Sequence, residues 1–375
     1  MSYLERVLDQ RLDRRRVFSV AGVLAGATFI AACGGSGKDE APQAGRTATT
    51  EPAPPPRLEV PDLKIPVRSE FIKPADTDPA ITALPLKSHY VAFPATAPRG
   101  QLFLFMPGAE APNSREGWDY RLISEQAARN GFHVIGLRYV NYQSPQVLCG
   151  LDANPHACFE DVYREIIYGS NAGASAFRAD GTKVAVNRAN SVENRLLKLL
   201  TFLAQKYPQD GWEGFFDGNG VKWSLVVAAG FSHGGGNAGF IAKDQVVARA
   251  AMFAASGHNL GPAVRQSEAK PPAAYTTRPY ATPLERIFAF GHAADEAYNF
   301  ALQWPPSWPG LMKLGGIVNI DHAAPPYGGA HLLLSSATAT FANAEHGMPA
   351  VDGATPKSAS GQPLYAPVWQ YMCFS

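Results

Sequence analysis

Cysteine is scarce in this chain, four in 375 residues, and net charge is nearly absent at +1. So few cysteines cannot staple a fold by themselves. With 46% of its residues hydrophobic, the chain can instead bury one large core or two smaller ones. Basic residues, 33 against 32 acidic, do not cluster outside the first segment, which argues against a nucleic-acid partner and for a neutral substrate. No C-x-x-C or H-x-x-x-H spacing occurs, so neither a metal nor an organic cofactor is expected. No internal repeat is present, and the one N-terminal apolar run, 17–32, is too short for a comfortable membrane span.

Arg11, Arg14, Arg15 and Arg16 precede that run, and small residues follow it. Charge, short apolar stretch and small residues, in that order, make residues 1–32 a secretory signal peptide. Ile30-Ala31-Ala32-Cys33 resembles the lipobox of bacterial lipoproteins, which implies lipidation of Cys33 and attachment to a membrane at the cell envelope. Arg15-Arg16-Val17-Phe18 resembles part of a twin-arginine signal. Removing residues 1–32 leaves a formal charge of −1, since five basic and three acidic residues go. In an oxidising compartment Cys149 and Cys158 could close the short loop between them as a disulfide, whereas Cys373 has no obvious partner.

Residues 33–80 are rich in Pro, Ala, Thr and Gly, including Pro52-Ala53-Pro54-Pro55-Pro56, and read as a flexible tether. From 81 to 375 apolar runs alternate with helical patterns, the signature of a mostly parallel sheet flanked by helices. Strands are expected at 101–106, 133–140, 247–255, 286–290 and 331–336, besides one ending at Ser232. Helices are expected at 118–130, 192–207 and 235–244. The stretches 141–188 and 258–282 look irregular and long enough for functional loops.

The densest chemical signal is Trp223 to Gly236, WSLVVAAGFSHGGG. A buried strand turning sharply into a helix can hold a serine exposed beside a base, and such a tight turn leaves little room for Cβ atoms two residues either side. Gly230-Phe231-Ser232-His233-Gly234 meets that requirement, and over residues 85–375 the chain resembles the α/β-hydrolase superfamily, more loosely its secreted bacterial members.

The resemblance implies an acid and then a histidine on later loops. Asp295, just past the 286–290 strand, is the expected acid, with Glu296 its rival and a helix-start acid the bland alternative. His346, beyond the 331–336 strand, is the expected base, ahead of His322 and His331; His89, His258 and His292 fall too early or on the wrong loop. Backbone N–H groups should form the oxyanion hole. One comes from His233 and the other from Gly108 or Ala109, since Pro107 has none. The aromatic segment 298–311 follows the acid and could cap an apolar acyl group or pack as a surface loop.

Together these features lead to an expected α/β-hydrolase domain, with loop or cap insertions, that cleaves a small or polymeric neutral ester through an acyl-serine. A surface binding lipoprotein that keeps the fold without turnover is the alternative.

Overall fold

Two runs without a polar break, LFLFM at 102–106 and VVAAGF at 226–231, suit strands buried on both faces. In the computed structural model they lie side by side at the middle of a nine-stranded sheet. The structure describes residues 58–375 apart from 85–86, 111–116, 143, 151, 153, 170–183, 256–258, 261–264 and 266. The expected signal peptide, Cys33, the first part of the tether and His258 lie outside the described residues.

The strands are β1 (Ser69–Ile72), β2 (His89–Ala92), β3 (Leu102–Met106) and β4 (His133–Gly136), then a separate hairpin of β5 (Phe216–Asp217) and β6 (Gly220–Val221). There follow β7 (Val226–Phe231), β8 (Arg249–Phe253), β9 (Ile287–His292), β10 (Ile317–Asn319) and β11 (Leu332–Ser335). The large sheet runs β1-β2-β4-β3-β7-β8-β9-β11-β10. β2 is antiparallel to both its neighbours, and every pairing from β4 to β10 is parallel. The longer helices are α1 (Arg121–Arg129), α2 (Pro155–Tyr168), α3 (Val192–Lys206), α4 (His233–Asp244) and α5 (Phe300–Ser307).

Local sequence accounts for the helices. The Ser191 hydroxyl caps α3 by accepting from the Asn194 N–H at 3.3 Å, and Leu196, Leu199, Leu200 and Leu203 form its buried stripe. No helix among the described residues is long and apolar enough to cross a membrane.

Several boundaries differ from expectation. Part of the supposed tether is folded: β1 pairs with β2, Ile72 is buried, and Leu58, Val60 and Val67 pack on the core. A Pro-rich average hides an edge strand that needs only a few apolar contacts. The stretch 141–188 holds a short helix, Pro145–Cys149, and all of α2. Each helix opens on a proline, Pro145 and Pro155, where the missing N–H costs nothing.

β4 ends at Gly136 rather than Val140, because the Arg138 N–H turns to a side chain, His89 Nδ1, at 3.0 Å. Most of the segment 298–311 packs inward, and only Tyr298 at its start reaches the Ser232 cleft. It carries α5, and its Trp304 and Trp308 are buried in the core, Trp304 donating to the Ala255 carbonyl at 3.2 Å.

Candidate active site

Gly230 and Gly234 set the turn after β7. A Cβ on Gly230 would lie 2.4 Å from the Gly234 carbonyl, and one on Gly234 would lie 2.0 Å from the Met106 oxygen, both impossible contacts with backbone. Ser232 between them has φ +51° and ψ −113°, a conformation a side-chain-bearing residue holds only when its surroundings impose it. They do so here: the Ser232 N–H donates to the Phe253 carbonyl at the end of β8 at 2.7 Å, and the Gly236 N–H to the Ser232 carbonyl at 3.0 Å.

Gly234→Ala is therefore expected to destabilise the protein by about 3 kcal/mol or more, roughly 5 °C or more in Tm. Gly214→Ala, whose Cβ meets nothing within 4 Å, should leave Tm nearly unchanged. Thermal melting of the two variants checks this, and equal melting points would contradict it.

The segments after β7, β9 and β11 converge at one edge of the sheet. Asp295, three residues past β9, is wholly buried. Its Oδ1 accepts from the Ala297 and Tyr298 N–H groups at 2.8 and 2.9 Å, which aims Oδ2 at His346 Nδ1, 2.7 Å away. The loop thus has a local turn role and a tertiary one at once. Arg265, which the sequence does not single out, braces it by donating to the carbonyls of Ala293 at 3.0 Å, Tyr298 at 2.5 Å and Asp295.

The rival acid, Glu296, holds the histidine's backbone instead, its Oε2 accepting from the His346 N–H at 3.0 Å. The His346 ring sits between Phe231 and Tyr298, at centroid distances of 4.9 and 5.5 Å.

Nε2 of His346 lies 3.0 Å from Ser232 Oγ. A carboxylate can only accept, so the tautomer that satisfies both contacts carries its proton on Nδ1 and accepts the serine hydroxyl at Nε2. Burial pulls the imidazole pKa down, but the Asp295 charge and hydrogen bond, aided by Glu296, outweigh it and leave the pKa above its ordinary 6.5.

The other histidines are elsewhere. His331 lies just before β11, at the opposite edge, stacked on Phe288 at 4.2 Å with Nδ1 on the Ile287 carbonyl at 2.8 Å. His292 contacts the Ala337 carbonyl through Nε2 at 2.8 Å, His89 accepts from Arg138, and His322 is exposed.

The oxyanion donors need one correction. The Gly108 N–H is engaged, donating to the Tyr120 hydroxyl at 3.2 Å. Gly108 instead allows close approach, since a Cβ there would lie 2.8 Å from the Phe231 ring and 3.4 Å from Ser232 Cβ. Of the two expected loop donors that leaves the N–H of Ala109, with the His233 N–H at the start of α4 as the other half of the expected pair. The loop is held by Tyr139 Oη on the Pro107 carbonyl at 2.9 Å, Asn141 Nδ2 on the Gly108 carbonyl at 2.6 Å, and the Arg138–Glu110 pair at 2.6 Å. These braces come from distant elements and leave no local signal.

Beside Ser232 lies a shallow cleft of about 10 Å³, lined by Ser144, Pro145, Gln146, Tyr163, His233 and Tyr298. A Cys149–Cys158 disulfide ties the short helix carrying Pro145 and Gln146 to α2, which carries Tyr163. Cys373 is a buried free thiol. The His233 ring is buried, which pushes its pKa down to about 3; the Asn141 backbone opposes this, yet neither ring nitrogen makes a well-formed hydrogen bond. A larger surface groove of about 360 Å³, walled by Tyr280, Trp308 and neighbouring prolines, contains none of the residues around Ser232. Among the described residues no three His, Cys, Asp or Glu side chains gather as a metal would require.

The chain matches no protein-family model and no curated protein sequence.

Proposed function

We propose that this chain is a serine hydrolase of the α/β-hydrolase superfamily that cleaves carboxylic esters through an acyl-serine, exported and held at the cell envelope by a lipidated Cys33. One observation carries the reading: the unbroken hydrogen-bond chain from Asp295 through His346 to Ser232, with the serine on a strained strand-to-helix turn. A hydroxyl becomes a useful nucleophile when a neutral imidazole stands ready to take its proton and a carboxylate holds that imidazole's tautomer.

In this reading Ser232 Oγ attacks the ester carbonyl as its proton passes to His346 Nε2. The oxyanion that forms is stabilised by the N–H groups of His233 and Ala109, where the α4 N-terminus also favours negative charge. Collapse breaks the bond to the alcohol, which leaves with the proton from His346. Water then enters, His346 takes its proton, and the acid departs from a regenerated Ser232.

The pH profile tests the base. His346 works only when neutral, and its pKa lies above 6.5, so kcat/KM on a neutral ester should fall as the medium is acidified through that raised value and level off at higher pH. A profile flat from about pH 5 to 8 would rule out a histidine base.

A further inference from the structure

We infer that Asn141 is a positioning residue for the reaction, fixing the peptide unit that presents the Ala109 N–H to the oxyanion; this rests on the ester-hydrolase reading above and on its Ala109 donor. Asn141 lies beyond the end of β4 and is buried. It meets the loop after β3 twice. Its Nδ2 donates to the Gly108 carbonyl at 2.6 Å, and its own backbone carbonyl accepts from the Glu110 N–H at 3.2 Å. The two contacts fall on either side of Ala109, so one residue holds both peptide units that flank it.

Peptide geometry turns that hold into an orientation. The Gly108 carbonyl and the Ala109 N–H belong to one planar trans unit, in which they point in opposite directions. With the carbonyl oxygen drawn onto Asn141 Nδ2, the Ala109 N–H points away from Asn141 and cannot swing round without breaking that bond. The preceding unit is held differently. Its Pro107 carbonyl accepts from Tyr139 Oη at 2.9 Å, and its Gly108 N–H donates to Tyr120 Oη at 3.2 Å. Both polar groups of that unit are committed within the protein, whereas the unit held by Asn141 commits its carbonyl and carries the expected oxyanion donor.

The residue type fits this role. A buried carbonyl requires a donor, and the Asn141 amide supplies one without a charge that would itself have to be buried. The Asn141 backbone also faces the side chain of His233, whose N–H is the other expected donor. A preorganised donor stabilises an oxyanion because its dipole needs no reorientation as the charge develops. Released from Asn141, the Gly108–Ala109 unit would have to be ordered as the oxyanion forms. That penalty falls on the transition state and spares the complex with unreacted ester.

The test measures kcat and KM on phenyl acetate in Asn141→Leu, which keeps the side-chain volume, and in Asn141→Ala, which empties it. Rates are taken per Ser232 that a fluorophosphonate labels at completion, so misfolded protein does not count. In both variants kcat should fall at least about tenfold, toward the roughly 10²–10³-fold that a lost oxyanion donor costs, while KM changes less than about threefold. An aryl trifluoromethyl ketone gives a second readout: Ser232 Oγ adds to its carbonyl, the proton passes to His346, and the adduct keeps an oxyanion. Its Ki should rise in step with the loss in kcat/KM. Tyr139→Phe, which frees only the neighbouring carbonyl, should cost far less. If wild-type protein is labelled and active, but the Asn141 variants keep their kcat, change only in KM, or lose no more than Tyr139→Phe, the inference is overturned and the serine-hydrolase reading stands. Should one Asn141 variant fail to fold, the other decides. Absence of both labelling and turnover in folded wild-type protein defeats the underlying reading, and this inference with it.

Discussion

His346→Ala is expected to lower kcat on a carboxylic ester by about a millionfold with the fold intact. Without the imidazole the Ser232 proton has nowhere to go as the carbon–oxygen bond forms, and the leaving alcohol loses its proton donor. Those two failures are one defect, so adding Ser232→Ala should cost little more, because groups that act as a unit are not additive. Folding should survive: the ring keeps 20% of its side-chain surface exposed, and the His346 N–H that reaches Glu296 belongs to the backbone. Single-turnover rates beside circular dichroism check both parts, and a folded variant retaining a tenth of the wild-type rate would assign the base elsewhere.

Asp295→Asn should cost about 10⁴-fold in kcat. The substitution preserves shape, and an amide oxygen at Oδ1 can still accept from the N–H groups of Ala297 and Tyr298. The amide nitrogen would then face His346 Nδ1 as a donor and move the ring proton to Nε2, which can no longer accept from Ser232. The raised pKa of His346 should fall as well, since the Asp295 charge is what chiefly opposes burial. Glu296→Gln is the matched control. Its oxygen can still accept from the His346 N–H, so a loss below about tenfold is expected. Losses of similar size in the two variants would mean that the carboxylates share the orienting role.

How legible all this is in the sequence depends on whether a feature is local. The serine turn is readable because its steric demand is written at Gly230 and Gly234, two residues either side, and the strand before it is an unbroken apolar run. Asp295 stands out because it follows a strand by three residues; His346 needs the resemblance, since no regular element lies between it and β11.

What escapes the sequence is tertiary. The Gly108 N–H belongs to Tyr120, Arg265 clamps the acid loop from more than 25 residues away, and the cleft wall is helical although the stretch 141–188 looks irregular. Edge strand β1 escapes because Phe71 stays half exposed and the segment's average composition is that of a tether.

The most direct measurement is mass spectrometry of the folded protein after exposure to a fluorophosphonate, with Ser232→Ala alongside. A phosphorus adduct on the Ser232 peptide, approaching one per molecule and absent from the variant, is the expected result. No adduct on folded wild-type protein, or equal labelling of the variant, would contradict Ser232 as the activated nucleophile.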